Sequence, residues 1–213
     1  MHSDVHLTEL LRRYVQLYTL ESDIFQAYTL MKECFSTGGT VFLCGNGGSA
    51  SDAEHIAGEL MKGFLLKRRV GEEIRKKFES LYGEQGIEIA NSLQMGLRAI
   101  SLLGHPSLSS AFANDVNAEL VFAQQMFVLA KKGDLLIAIS TSGNSKNVVK
   151  AMQVAKVVGA KCVALTGNSG GLCTQFADCS IKVPETETYK IQELHLPIYH
   201  CLCAMIEDFF FNR

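Results

Sequence analysis

His55 and Glu59 are the residues of this sequence whose types and spacing most directly suggest chemistry. They are four residues apart, so on a helix they share one face and their side chains can meet. An imidazole and a carboxylate together can bind a metal ion or transfer protons. The same spacing also suits an ordinary surface pair. A glycine-rich loop just before the pair favours the chemical interpretation, because the helix would begin at a ligand-binding loop.

Two loops have the composition of phosphate-binding turns. Residues 45–52 (GNGGSASD) follow a short apolar run, and glycines let backbone N–H groups approach an anion at the start of a helix. Residues 140–145 (STSGNS) follow another apolar run and are rich in hydroxyl donors. Either loop alone could be a helix cap, but two of them at one sheet edge predict a phosphate site. Neither matches a dinucleotide or nucleoside triphosphate motif, and a third turn, 166–171, is expected to be structural.

Polar residues interrupt the apolar C-terminal segment at Gln192, His195 and His200. A polar side chain on a core helix needs a partner, which a metal, a substrate or the main chain could supply. On a regular helix Gln192 and His200 lie about 12 Å apart, eight residues at 1.5 Å each. Both reach one metal only if the segment begins irregularly or the glutamine stretches back, and Pro197 could kink the segment.

The elements that position these residues form an α/β pattern. Short apolar runs alternate with helical patterns, which predicts a three-layer, doubly wound, five-stranded parallel sheet of the flavodoxin-like type. Its ligands would bind beyond the carboxyl edge of the strands. Residues 1–38 predict a long N-terminal helical region, and the 213 residues fit a single domain. The predicted strands are 41–44, 99–103, 135–139, 162–165 and 179–183.

Composition excludes several classes of function. Lys and Arg number 20 against 22 Asp and Glu, a net charge of −2, which argues against nucleic acid as a partner. No apolar run approaches the ~20 residues that span a bilayer, and the N-terminus resembles neither a signal nor a transit peptide, so we expect a cytoplasmic protein without a membrane partner. The seven cysteines include no CxxC pair and are expected to be buried, reduced thiols.

One stretch departs from this pattern. Residues 67–79 carry nine charges in thirteen positions, and the chain stays polar to about residue 94. This composition is typical of a solvated helix or a mobile insertion. The alternative is a lid or a subunit contact near the site, because the stretch follows the His55–Glu59 helix directly.

At these motifs the sequence resembles the sugar isomerase (SIS) domain family and, within it, the phosphoheptose isomerases. The likeness covers most of the chain. The combination of segments is specific, whereas the serine loop alone would indicate only the broad SIS family. The segments are 44–60 (CGNGGSASDAEHIAGEL), 113–115 (AND), 133–151 (GDLLIAISTSGNSKNVVKA), 164–171 (ALTGNSGG) and 191–200 (IQELHLPIYH).

The resemblance implies aldose–ketose isomerisation of sedoheptulose 7-phosphate to D-glycero-D-manno-heptose 7-phosphate, for the heptose of lipopolysaccharide or capsule. It implies a homotetramer with sites at subunit interfaces, with Glu59 as base and His200 as acid. A divalent metal, usually zinc, would be held by His55, Glu59, Gln192 and His200. Substrate contacts carry over to Asn46, Gly47, Gly48, Ser49, Glu59, Asn114, Asp115, Ser140, Thr141, Ser142, Ser145 and Gln192.

Two departures from the family pattern bear on the substrate. The interval from residue 59 to 115 is about two dozen residues longer than expected, and Tyr189 stands where an acidic residue is expected, for which Glu185 or Glu187 could compensate. The alternative function is a noncatalytic SIS protein, either a sugar-phosphate sensor or an adaptor that binds a replication initiator. Such adaptors keep the serine loop but lack the His/Glu pair, so the residues present here favour an enzyme.

Overall fold

The computed structural model describes residues 4–212. The predicted N-terminal helical region is α1 (Val5–Arg13), a 3₁₀ segment (Val15–Leu20) and α2 (Glu21–Ser36); residues 1–3 of that prediction lie outside the described residues. The Asp4 carboxylate caps α1 by accepting from the N–H groups of His6 and Leu7. Both helices bury apolar residues against the body of the protein.

The five predicted strands are confirmed, and all neighbouring pairs are parallel. Their order is β2-β1-β3-β4-β5, which is the doubly wound flavodoxin-like order. Successive residues of β1 and β3 pair in register up to Cys44 and Ala138, so the two strands end at the same level. The strands are β1 (Val41–Cys44), β2 (Ala99–Ser101), β3 (Leu135–Ile139), β4 (Lys161–Thr166) and β5 (Cys179–Lys182).

Helices cover both faces of this sheet and form two buried cores. One core packs α1, α2, α3 and α8 against the sheet, and the other packs α6 and α7 against the opposite face. The side chains of β1 alternate between them, since Leu43 enters the first core and Phe42 the second. The remaining helices are α3 (Gly48–Met61), α4 (Glu72–Ser92), α5 (Pro106–Phe112), α6 (Val121–Leu129), α7 (Lys146–Val158) and α8 (Thr188–Phe211), with short helical turns at Ala113–Asn117, Ala118–Leu120 and Leu172–Gln175.

The C-terminal segment is one helix, α8, which runs through Pro197 from Thr188 to Phe211. It contacts α3, α2 and α1. Gln192 and His200 therefore lie on a continuous helix, about 12 Å apart along its axis. Within residues 4–212, no helix combines the length and apolar character needed to cross a membrane.

The charged stretch 67–94 is mainly helical, as the solvated-helix interpretation predicts. The helix α4 contains a sharp reversal at Gly83, whose φ of 58° lies in the left-handed region that favours glycine. Its second half returns against the first, since a side chain on Gly86 would collide with the carbonyl of Phe78. At the base, Arg69 and Gln94 pair as an antiparallel bridge. The segment is thus a helical hairpin on a closed stem, and its role as a lid or subunit contact stays a prediction.

All seven cysteines are buried and unpaired, as predicted. Burial raises the pKa of each thiol, for example that of Cys173 to about 11 and that of Cys34 to about 12. These cysteines act as small apolar side chains.

Candidate functional site

The predicted phosphate edge lies where β1 and β3 end side by side. The loop after β1 enters α3 through Gly47, whose φ of 56° and ψ of −123° suit glycine alone. The loop after β3 enters α7 at Ser145. Asn46 of the first loop and Asn147 of α7 exchange two side-chain amide hydrogen bonds of 2.9 Å, which hold the two loops together. The structure thus places two helix N-termini at one crevice, the arrangement that attracts an anion.

The serine loop is pre-shaped by its own hydrogen bonds. The Ser140 hydroxyl donates to the Ser145 hydroxyl at 3.0 Å, and the Ser142 hydroxyl accepts from the N–H of Asn144 at 3.1 Å. Ser142 is exposed at the crevice, whereas Ser140 is only 3% exposed. The turn after β4 supports this loop from below, because Gly143 packs directly on the backbone of Gly170. That contact agrees with the structural role predicted for residues 166–171.

A second group of polar residues lies where α3 passes α8. His55 Nε2 is 3.3 Å from Glu59 Oε1 and 3.5 Å from His200 Nε2. The structure therefore brings together three of the four residues predicted to bind a metal. The Glu59 side chain is 14% exposed, so a carboxylate is held largely out of solvent between these imidazoles and α8.

Three neighbours of this group carried no role in the sequence analysis. The Tyr199 hydroxyl lies 3.1 Å from His55 Nδ1 and 3.2 Å from Asp52 Oδ1. Lys62 donates to Glu59 Oε2 at 3.1 Å. Helical spacing was the signal for Asp52 and Lys62, which are three residues from His55 and Glu59. Tyr199 adjoins His200 in the sequence, and adjacency on a helix does not indicate a shared face.

Burial and neighbouring charges alter the acid–base behaviour of this group. Burial, together with the nearby His55, lowers the pKa of His200 and favours its neutral form. Burial raises the pKa of Asp52 and also that of Tyr199, where the adjacent Asp52 adds to the effect. Titratable side chains with perturbed pKa values in a cleft are typical of catalytic sites.

His200 also borders a cleft between α1 and α8. The cleft measures about 380 Å³, and His200 forms part of its wall beside Phe64, whose ring centroid is 5.5 Å away. Arg13, the last residue of α1, and Tyr14, which follows it, also line the cleft. His200 is therefore accessible to solvent from this side.

Other predicted contacts are placed elsewhere. Gln192 covers the glycine loop, because a side chain on Gly48 would come within 2.5 Å of its Nε2 atom. Ser49 is 3% exposed, in the first turn of α3. Asn114 and Asp115 are exposed and hydrogen-bonded to each other at 2.8 Å. No hydrogen bond within residues 4–212 links Gln192, Asn114 or Asp115 to His55, Glu59 or His200.

The donor atoms around His55 are compatible with a divalent metal ion. Two ligands of a tetrahedral zinc ion, each about 2.0–2.1 Å from the metal, lie roughly 3.4 Å apart, which matches the His55–Glu59 and His55–His200 separations. Within the described chain, however, no group of three or more His, Cys, Asp or Glu residues is arranged to hold a metal ion. These residues therefore fit a zinc ion in the type of their donor atoms and in two of the distances between those atoms.

A buried ion pair fixes the C-terminal end of α3. Arg68 and Glu207 have side chains 0% and 1% exposed, and Arg68 Nε lies 2.7 Å from Glu207 Oε1. Arg68 also donates to the carbonyls of Leu60 and Glu59. Burial alone would raise the pKa of Glu207, but backbone N–H groups and Arg68 lower it overall. The helix end that carries Glu59 is thus anchored to α8.

The fold and the two loops define an SIS-domain protein, and SIS-domain models match residues 6–80 and 109–204. Phosphoheptose isomerase from Helicobacter pylori strain P12 is 39% identical over 197 residues, 92% of this chain and 89% of that protein. The solved phosphoheptose isomerases of Neisseria gonorrhoeae and Francisella tularensis superpose with TM-scores of 0.74 at 31% and 29% identity, covering 95% and 98% of this chain and 95% and 100% of theirs. The chain belongs to the phosphoheptose isomerase family.

Proposed function

We propose that this protein isomerises sedoheptulose 7-phosphate to D-glycero-D-manno-heptose 7-phosphate, in the synthesis of heptose for a surface polysaccharide. The observation that carries the proposal is the contact group His55–Glu59–His200, which accompanies a phosphate-type loop pair in the same chain. Identity of 39% to a protein named phosphoheptose isomerase supports the substrate.

Each end of the substrate has its own region of the site. Hydroxyls and N–H groups at the serine and glycine loops would hold the phosphate, so its binding energy positions the reacting carbons. Glu59 would take the proton next to the carbonyl, and His200 would serve the sugar oxygens and ring opening. Burial lowers the pKa of His200, and the neutral imidazole that this favours could donate a hydrogen bond to the developing enediolate. Lys62 places a positive charge beside Glu59, the proposed catalytic base.

We assign a zinc ion to this site, with His55, Glu59 and His200 as the residues that would hold it. Bound there, the metal would supply Lewis-acid stabilisation of negative charge on the sugar oxygens. Gln192 belongs to the predicted ligand set, but its position over Gly48 supports a role at the glycine loop. A carboxylate that binds metal is a weaker free base, so Glu59 would act as metal ligand and as base in different states.

The separation of the two regions supports a homotetramer with shared sites. Gly48 and Glu59 are eleven residues apart on α3, about 16 Å along its axis. The phosphate loops and the base therefore lie toward opposite ends of one helix, and a neighbouring subunit could bring complementary ends together. We further propose that residues 1–213 form a single SIS domain and that the protein is cytoplasmic.

The direct test is to incubate the purified protein with sedoheptulose 7-phosphate and to detect the aldose product by NMR. We expect conversion that stops after chelator treatment and returns with added zinc. Activity that is unaffected by chelation would remove zinc from the proposal. Absence of product together with retained sugar-phosphate binding would contradict the isomerase and favour a sensor.

A further inference from the structure

Asp52, Tyr199 and His55 form a single hydrogen-bonded chain behind the site. The Tyr199 hydroxyl lies 3.2 Å from Asp52 Oδ1 and 3.1 Å from His55 Nδ1. Tyr199 is only 2% exposed, and its ring meets that of His55 edge to face, with centroids 5.5 Å apart. The Tyr199 hydroxyl therefore has little freedom to change partners.

The direction of each hydrogen bond in this chain follows from counting protons. An ionised carboxylate can only accept, and a phenol has one proton to give. Asp52 Oδ2 is buried without a partner in the described chain, so Tyr199 is the side chain that serves this carboxylate. Tyr199 must then donate to Asp52 and accept from His55, which requires a proton on His55 Nδ1.

We propose that Asp52 and Tyr199 are positioning residues that hold His55 in its Nδ1–H tautomer, with the Nε2 lone pair directed at Glu59 and His200. The proposal rests on the function proposed above, because that function uses the Nε2 lone pair of His55 to hold a metal ion. An imidazole with its proton on Nε2 could not bind a metal ion through that atom. A hydrogen bond to the other ring nitrogen is the usual means by which a protein fixes this choice.

The tautomer can be observed directly in the metal-free protein. With ¹⁵N-labelled histidine, the ring nitrogens of His55 are assigned by their loss in His55→Gln and read at neutral pH. We expect a protonated Nδ1 and an unprotonated Nε2 in the wild type, and a mixture of tautomers in Tyr199→Phe, which keeps the ring but removes the hydroxyl. Tyr28→Phe is the matched control, since Tyr28 is also buried but lies outside the site.

Zinc affinity provides a second readout, measured by competition with a chromophoric chelator. We expect Tyr199→Phe and Asp52→Asn each to weaken Zn²⁺ binding by about tenfold or more, the usual effect of removing a partner of a metal-binding histidine. The double variant should lose little more than either single one, because both act through His55. Tyr28→Phe should bind zinc as the wild type does.

These outcomes separate the proposal from the isomerase assignment. A wild-type His55 with its proton on Nε2 would overturn the proposal, as would a Tyr199→Phe variant whose tautomer is unchanged. Full additivity of the two substitutions in zinc affinity would also contradict it. If the protein fails to turn over sedoheptulose 7-phosphate, the isomerase assignment fails, while the tautomer measurement still decides the role of Asp52 and Tyr199.

Discussion

The phosphate edge and the histidine–carboxylate group use different kinds of chemistry. The edge consists of backbone N–H groups, hydroxyls and amides from two loops, each a continuous stretch of sequence. Local hydrogen bonds such as Ser140–Ser145 hold them in shape. The group around His55 consists of titratable side chains from two helices that are far apart in sequence. Anchoring an anion therefore needs no basic residue at the loops, which explains how a chain with a net charge of −2 can bind a phosphosugar.

The largest expected effect is a loss of kcat from a substitution in the group around His55 that leaves the phosphate edge unchanged. Glu59→Gln keeps the shape of the side chain but removes the proposed base, so kcat should fall by about a thousandfold. Steady-state turnover of sedoheptulose 7-phosphate measures this. Glu54→Gln, an exposed residue on the same helix, should retain full turnover. A Glu59→Gln enzyme with near wild-type kcat would contradict the role of Glu59.

The next effect concerns the anchoring of the chemical region. Arg68→Met leaves the Glu207 carboxylate buried without its charged partner and should lower the free energy of unfolding by about 3 kcal/mol. Urea denaturation measures the loss. The matched control is Arg12→Met, which removes an exposed ion pair with Glu9 and should leave stability unchanged within error. Equal effects of the two substitutions would show that the buried pair does not anchor α3.

A third prediction uses pH to test the link between α8 and the end of β4. His195 is buried, donates from Nε2 to the Thr166 carbonyl at 3.3 Å, and has a pKa lowered by burial to about 4. The unfolded chain takes up this proton below about pH 6.5, whereas the folded protein stays neutral, so stability falls as pH falls. This histidine should contribute a loss of about 2 kcal/mol between pH 7 and pH 5.

Urea denaturation of His195→Gln at the two pH values measures that contribution. The glutamine can still donate to Thr166 but does not titrate, so the variant should lose less stability on acidification than the wild type. An identical pH dependence in both proteins would mean that His195 takes up its proton as readily in the folded protein as in the unfolded chain.

The smallest expected effect belongs to the phosphate edge. Ser142→Ala removes one exposed hydroxyl donor and should weaken sugar-phosphate binding about tenfold, the value of one hydrogen bond to a charged group. KM should rise while kcat changes little. Ser92→Ala on α4 is the control, because its hydroxyl bonds, among residues 4–212, only to the Glu88 carbonyl. A fall in kcat without a rise in KM would assign Ser142 to chemistry.

The sheet and the phosphate edge could be predicted because each strand and the loop that follows it form one continuous stretch of sequence. Apolar runs such as Leu135–Ile139 ending in small polar turns identify both the strand and its ligand-binding end. Parallel strands of equal register then bring the turns together. The meeting of His55 with His200 also followed from sequence, through the family resemblance, although the residues are 145 positions apart.

The other contacts between α3 and α8 could not be predicted. Which residues of α8 face His55 depends on how α8 lies against α3, and spacing alone does not fix this packing. Tyr199 therefore carried no predicted role, whereas the structure gives its hydroxyl two polar partners. Spacing likewise does not indicate that Gln192 lies over Gly48. Its assignment as metal ligand and substrate contact stays a prediction.

The most direct test of the division between anchoring and chemistry is calorimetric binding of sedoheptulose 7-phosphate to two variants. Glu59→Gln should bind with near wild-type affinity, whereas Ser142→Ala should bind about tenfold more weakly. If Glu59→Gln loses as much affinity as Ser142→Ala, the two regions do not divide binding and catalysis, and the account is wrong.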